Sequence, residues 1–142
     1  MCRRLGIIDT NVVVSYFLFH DSVAGEIIDM ALDGTFIPIL NGHILREYLE
    51  VLSRESFKLD KNIIDLFITN LALKAKFVQP AQTKTVFKDA DDKVFYDTLL
   101  AASKFGDSYL ITGNKKDFPE ELNIISPREM LEIIDGTLYR HD

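Results

Sequence analysis

Short apolar runs alternate with longer amphipathic stretches along this chain, and that alternation limits its fold more than any other feature. Arg4–Ile8, Thr35–Leu40, Ser108–Thr112 and Asn123–Ser126 read as strands. Between them lie stretches with helical spacing and recognisable ends. Ser22 caps "VAGEIIDMALD", which Gly34 stops. Behind Asn41, "HILREYLEVLSRE" carries Ile44, Leu45, Tyr48, Leu49 and Leu52 as one apolar stripe. Asp60 precedes a long amphipathic helix over Lys61–Lys76, and "FVQP" ends that unit as an extended piece. Asn11–Phe19 reads as a short helix, although its valines and phenylalanines also favour strand. "DDKVFYDTLLAASKFG" reads as a helix from Asp92 that stops at Gly106. Ser126-Pro127-Arg128-Glu129 supplies a cap, a proline at the first helical position and a glutamate three after the cap.

Strands that alternate with helices imply a parallel sheet with right-handed crossovers and helices on both faces. The expected fold is therefore α/β: a single domain over residues 1–142, three layers, with a central mostly parallel sheet. The longest apolar stretch, Val12–Phe19, is too short to span a bilayer, and the basic start lacks a signal-peptide pattern. Cys2 is the only cysteine, which excludes an internal disulfide and a cysteine-rich zinc site. His20, His43 and His141 are too scattered to form a metal pattern. A cytoplasmic protein without a membrane partner is expected. The net charge of −6 argues against coating nucleic acid by bulk electrostatics, but leaves room for local contact through bound cations.

In open parallel sheets, ligands sit at the carboxyl ends of the strands, and Asp9 falls there. Asp9-Thr10-Asn11 reads equally as a helix cap and as part of a metal site. Glu47 lies beside the buried stripe of its helix. Its ordinary partners would be Arg46 or Arg54, and its functional partner a cation. The helix macrodipole accounts for Asp91 and Asp92 in a first turn, but not for Asp97. Ala101, Ala102 and Ser103 would let that helix approach the sheet closely. Asp92 and Asp97 diverge by roughly 140° on an ideal helix, so Asp97 ranks above Asp92 as a site residue. In "LITGNKKDF", Thr112, Asn114 and Asp117 read either as turn chemistry or as an oxygen ligand with an orienting hydroxyl. Oxygen donors drawn from distant parts of the chain, without thiolates, describe a hard-cation site for Mg²⁺ or Mn²⁺.

The order and spacing of "IIDTNVVVS", "ILREYLEVLSR", "DADDKVFYDTLLAAS", "YLITGNKKDFP" and "ISPREMLEII" resemble the PIN-domain ribonucleases, close to the VapC-like toxin components of toxin–antitoxin pairs. The resemblance covers nearly the whole chain. It implies an acidic cluster that binds Mg²⁺ or Mn²⁺ and cleaves single-stranded RNA, leaving a 5′-phosphate and a 3′-hydroxyl. By motif position, Asp9, Glu47 and Asp97 resemble the first three acids and Thr112 the threonine near them. Where many members carry a fourth acid this chain has Asn114, so that role falls to Asn114, Asp117 or Asp92, or is lost. Arg46, Lys93, Lys115 and Lys116 are candidates to steady the RNA, although solvated surface charge is the ordinary role of such residues. The resemblance further implies a homodimer and a cognate antitoxin.

Two other enzyme classes fit less well. A haloacid-dehalogenase-type phosphatase needs a second aspartate where Asn11 stands, and it leaves Glu47 without a role. A receiver domain needs an acidic pair at the first strand and a phosphoacceptor ending a middle strand, and "TFIPILNG" offers neither. A PIN scaffold that holds RNA or protein without cutting is the alternative from a different class, and Asn114 favours it.

Overall fold

The computed structural model describes residues 3–136, so Cys2 and His141 lie outside it. Five strands, β1 (Leu5–Ile8), β2 (Ile37–Leu40), β3 (Lys76–Phe77), β4 (Ser108–Ile111) and β5 (Ile124–Ile125), form one sheet in the order β3-β2-β1-β4-β5. Every neighbouring pair is parallel, so the sheet is wholly rather than mostly parallel. The piece expected to be merely extended at "FVQP" begins as edge strand β3, where Phe77 pairs with Leu40. β1 is central and all four of its residues are buried, as a strand covered on both faces requires.

Among the described residues, six α-helices connect and flank the strands: α1 (Thr10–Leu18), α2 (Val23–Asp33), α3 (Gly42–Leu52), α4 (Lys61–Lys74), α5 (Ala90–Ala102) and α6 (Pro127–Asp135). Their starts follow the sequence signals. The side chains of Ser22, Asn41, Asp60 and Ser126 each accept a backbone N–H of the first turn. Ser126 and Glu129 complete a reciprocal capping box. Gly34 ends α2 at φ 88°, a left-handed conformation that costs glycine little. α5 begins earlier than the sequence reading has it, because Asp89 is the cap and accepts from the Asp91 N–H. Asp92 therefore stands inside the first turn.

The chain runs from β1 through β2 to β3 in one direction, then returns across the sheet to β4. Right-handed crossovers put α5 on the face opposite the helices of the first half. α2 packs against α1, α4 and α6, while α5 lies on β1 and β4. Ile7, Ile27, Phe36, Ile39, Tyr48 and Leu99 are wholly buried in the core between. Each such side chain contributes roughly 1.5–3 kcal/mol by leaving water. Gly6 is required in β1, since a Cβ there would come within 2.6 Å of the Phe36 ring. Among the described residues, no helix is long and apolar enough to cross a membrane.

The reversal of strand order falls between β1 and β4, the place where an open parallel sheet leaves a crevice at the carboxyl ends of its strands. Ile8 pairs with Ile111, so the next residue of each strand, Asp9 and Thr112, meet across the crevice.

Candidate active site at the sheet switch point

Asp9 occupies the cap position of α1 in extended backbone, yet its side chain makes no capping bond. The carboxylate turns into the crevice instead. It accepts from the Thr112 hydroxyl at 2.7 Å and from the Asn11 amide at 3.2 Å. Neither neighbour caps α1 with its side chain. Thr10 donates to Glu47 at 2.6 Å, and the Asn11 carbonyl accepts from the Gly113 N–H at 3.1 Å. Burial pushes the Asp9 pKa up, against the opposing hydrogen bond from Thr112, and the negative charge of Asp117 adds to the rise. Thr112 is fully buried and accepts from the Asn114 N–H at 3.0 Å, so one hydroxyl ties the turn after β4 to Asp9.

α3 delivers Glu47. The neighbouring Tyr48 phenol, fully buried, donates to the carbonyl of Ile8 at 2.5 Å and so fixes the helix against the residue before Asp9. Glu47 pairs with neither Arg46 nor Arg54 among the described residues. Burial, and a hydrogen bond shared with Asp91, push its pKa up to about 7. Asp91 is held low by that same bond and by His43, whose Nε2 lies at 2.9 Å. His43 precedes Glu47 by one helical turn, a spacing visible in the sequence but given no weight there. Asp92 is pushed up to about 6, first by burial and then by the charges of Asp89, Asp9, Asp117 and Asp91.

Of the sequence candidates, the crevice therefore brings Asp92 and Asp117 within electrostatic reach of each other and of Asp9, and Glu47 within reach of Asp9, with Thr10, Asn11 and Thr112 as uncharged partners. Asn114 donates to Asp117 through its side-chain amide. Asp97 is not among the charges that raise Asp9, Glu47 or Asp92. Its carboxylate is buried and accepts from Lys93 Nζ at 2.6 Å and from Thr83 at 2.5 Å. The helix phase explains the division, since Asp92 and Asp97 project in directions roughly 140° apart. The candidate cations divide in the same way. Lys93 is committed to Asp97 and Lys115 to Glu129 at 2.7 Å, whereas Arg46 and Lys116 are exposed without an ion pair among the described residues.

The donors are all oxygen, which suits a hard divalent cation rather than zinc. Among the described residues, no three carboxylates or imidazoles stand close enough to form a finished metal shell. The crevice is thus a set of mutually repelling acids at a sheet switch point, the kind of place where a bound cation relieves the repulsion.

A parallel α/β domain with acids at the carboxyl ends of its strands is an arrangement that several enzyme classes share. Comparison with protein families matches residues 6–116 to the PIN domain, and the chain belongs to the PIN-domain family. PIN domains are in general metal-dependent nucleases. No curated protein matches the chain.

Proposed function

We propose that the protein is a divalent-metal-dependent endoribonuclease that cleaves single-stranded RNA, with Asp9, Glu47 and Asp92 as the acids that hold Mg²⁺ or Mn²⁺. One observation carries the reading. Burial raises all three carboxylates, and none has a lysine or arginine partner among the described residues. Asp117, close enough to act on both Asp9 and Asp92, serves as the fourth oxygen donor, with Asn114 beside it. When bound, the cation supplies positive charge at the scissile phosphate and an acidified water. Thr112 and Asn11 hold Asp9 in place for it, and Thr10 holds Glu47, as outer partners of metal ligands generally do. Unstacked RNA bends into such a crevice more readily than a duplex.

We place this activity in the cytoplasm, in the toxin component of a toxin–antitoxin pair. A basic antitoxin segment complements both the crevice and the net charge of −6. Ile63, Leu66 and Leu73 form an exposed apolar stripe along α4, between 56% and 77% accessible, which supports a homodimer. Sedimentation giving only a 16.2 kDa species at high concentration would exclude the dimer.

The test of the nuclease is cleavage of single-stranded RNA with and without Mn²⁺, by wild type and by Asp9→Asn. Cleavage that needs Mn²⁺ and Asp9 supports it. RNA bound but uncut at every Mn²⁺ concentration supports the binding scaffold instead, the reading that Asn114 favours.

A further inference from the structure

Beside the carboxylates, the segment entering α5 and the turn leaving β4 enclose a groove of about 380 Å³. Asp92, Asp117, Lys88 and Lys116 all line it. Neither lysine has an ion pair among the described residues, in contrast to nearby Lys93 and Lys115. Two lysines without an ion pair set against Asp92 and Asp117 leave the groove balanced in formal charge on a chain of net charge −6, so a phosphate that reaches the lysines meets positive charge there. The groove also carries apolar side chains. Val86 is 93% exposed. The half-buried Phe87 ring is anchored by Tyr96 at 5.5 Å and by Phe118 at 6.1 Å between centroids. A fixed aromatic ring beside free ammonium groups offers a base a surface and a phosphate a charge. The volume lies near the lower end of small-molecule sites, roughly 300–1,000 Å³, and suits one nucleotide. A neighbouring cavity of about 490 Å³ shares Lys116 and Phe118 but not Val86, Phe87 or Lys88, and its other lysine, Lys115, is bound to Glu129.

We propose that this groove is a nucleotide subsite, which seats the nucleotide next to the scissile phosphate of a single-stranded substrate. The base lies against Val86 and Phe87, and the phosphate sits between Lys88 and Lys116. The proposal rests on the nuclease reading above, and its test separates the two.

The probe is a short 2′-O-methyl oligouridylate, followed by fluorescence anisotropy in the presence of Mn²⁺, with its intactness checked on a denaturing gel after each measurement. Lys88→Gln with Lys116→Gln should weaken binding about tenfold at low salt and flatten the dependence of log affinity on log salt by about 0.7, the value for one phosphate neutralised on a single strand. Lys74→Gln with Lys104→Gln changes net charge equally at the opposite end of the sheet and should alter neither. The chain has no tryptophan, so Val86→Trp gives a single emission at the groove. The oligonucleotide should quench it, and should still do so when Asp9→Asn is added. Absence of binding by wild type, parity between the two lysine pairs, or unquenched Trp emission while anisotropy reports binding would each overturn the subsite. Binding and quenching intact, with unmodified RNA left uncut, would sink the nuclease reading and leave the subsite standing.

Discussion

Asp9 and Asp97 are both buried aspartates, 8% and 3% exposed, on elements that pack against each other, yet they are partnered differently. Asp97 has a lysine from one turn earlier on its own helix and a threonine hydroxyl. Asp9 has a hydroxyl, an amide and the backbone N–H of Thr10, and no cation among the described residues. Burial costs a charged group heavily unless an opposite charge comes with it. For Asp97 the fold supplies that charge itself. For Asp9 it supplies only orientation, and the pKa rises. Burial is common to both carboxylates; what separates them is whether the chain provides the counter-charge.

The largest expected effect of breaking the contrast is at Asp9. Asp9→Asn should reduce Mn²⁺-dependent RNA cleavage by about 100-fold or more, since even outer-shell partners of a metal are worth about 10- to 100-fold. A single-turnover assay at saturating Mn²⁺ measures it, and activity near wild type would remove Asp9 from the site. Thr112→Val keeps the shape and deletes the hydroxyl that orients Asp9. It should cost about 10- to 100-fold in the same assay with the circular dichroism spectrum unchanged. Equal activity would reduce the Thr112 bond to packing.

The two aspartates also show where the sequence was legible and where it was not. Asp9 and Thr112 were readable because strand ends follow from local patterns, and the parallel pairing of Ile8 with Ile111 then brings them together. Ser22, Gly34, Asn41 and the Ser126–Glu129 box were readable for the same reason, as each signal acts within one turn. The ranking of Asp97 above Asp92 depended on where α5 starts. Once Asp89 is the cap, Asp92 falls in the first turn beside the crevice, and Asp97 falls in reach of Lys93 and Thr83. The Lys93–Asp97 pairing was present in the spacing, one turn apart. The contact with Thr83 was not, because it comes from a connection without periodicity. The same connection carries Val86, Phe87 and Lys88, which meet the turn after β4 only through the tertiary fold.

Titration sharpens the contrast further. Glu47 is pushed up to about 7 and Asp92 to about 6, both above their unfolded values of about 4. Between about pH 4 and pH 7 the folded chain thus binds more protons than the unfolded one, so metal-free stability falls as pH rises through that window. Melting curves at pH 5 and pH 8 should show a lower Tm at pH 8, and Glu47→Gln should flatten the difference. Mn²⁺ stabilisation should run the opposite way, growing with pH as the acids give up their protons. A pH-independent Mn²⁺ shift would contradict both assignments.

The smallest effect is expected in the turn. Asn114→Asp places another carboxylate beside Asp117 and should lower the Mn²⁺ concentration for half-maximal cleavage by about threefold, since added ligand charge tightens such sites. Asp117→Asn should raise it. If neither titration moves, the turn contributes no donor and the site is a three-acid one.

Thermal melting of Asp9→Asn and Asp97→Asn, each with and without Mn²⁺, tests the contrast most directly. Loss of the charge at Asp97 should cost about 1.5–3 kcal/mol, the range for hydrogen bonds to charged groups, and lower Tm by several degrees. The Mn²⁺-induced rise should survive in that variant. Asp9→Asn removes a buried charge that has no counter-charge, so its metal-free Tm should equal or exceed that of wild type. Its Mn²⁺-induced rise should be lost. A metal-free Tm that falls for Asp9→Asn as far as for Asp97→Asn would contradict the account, and so would a Mn²⁺ shift lost only in Asp97→Asn.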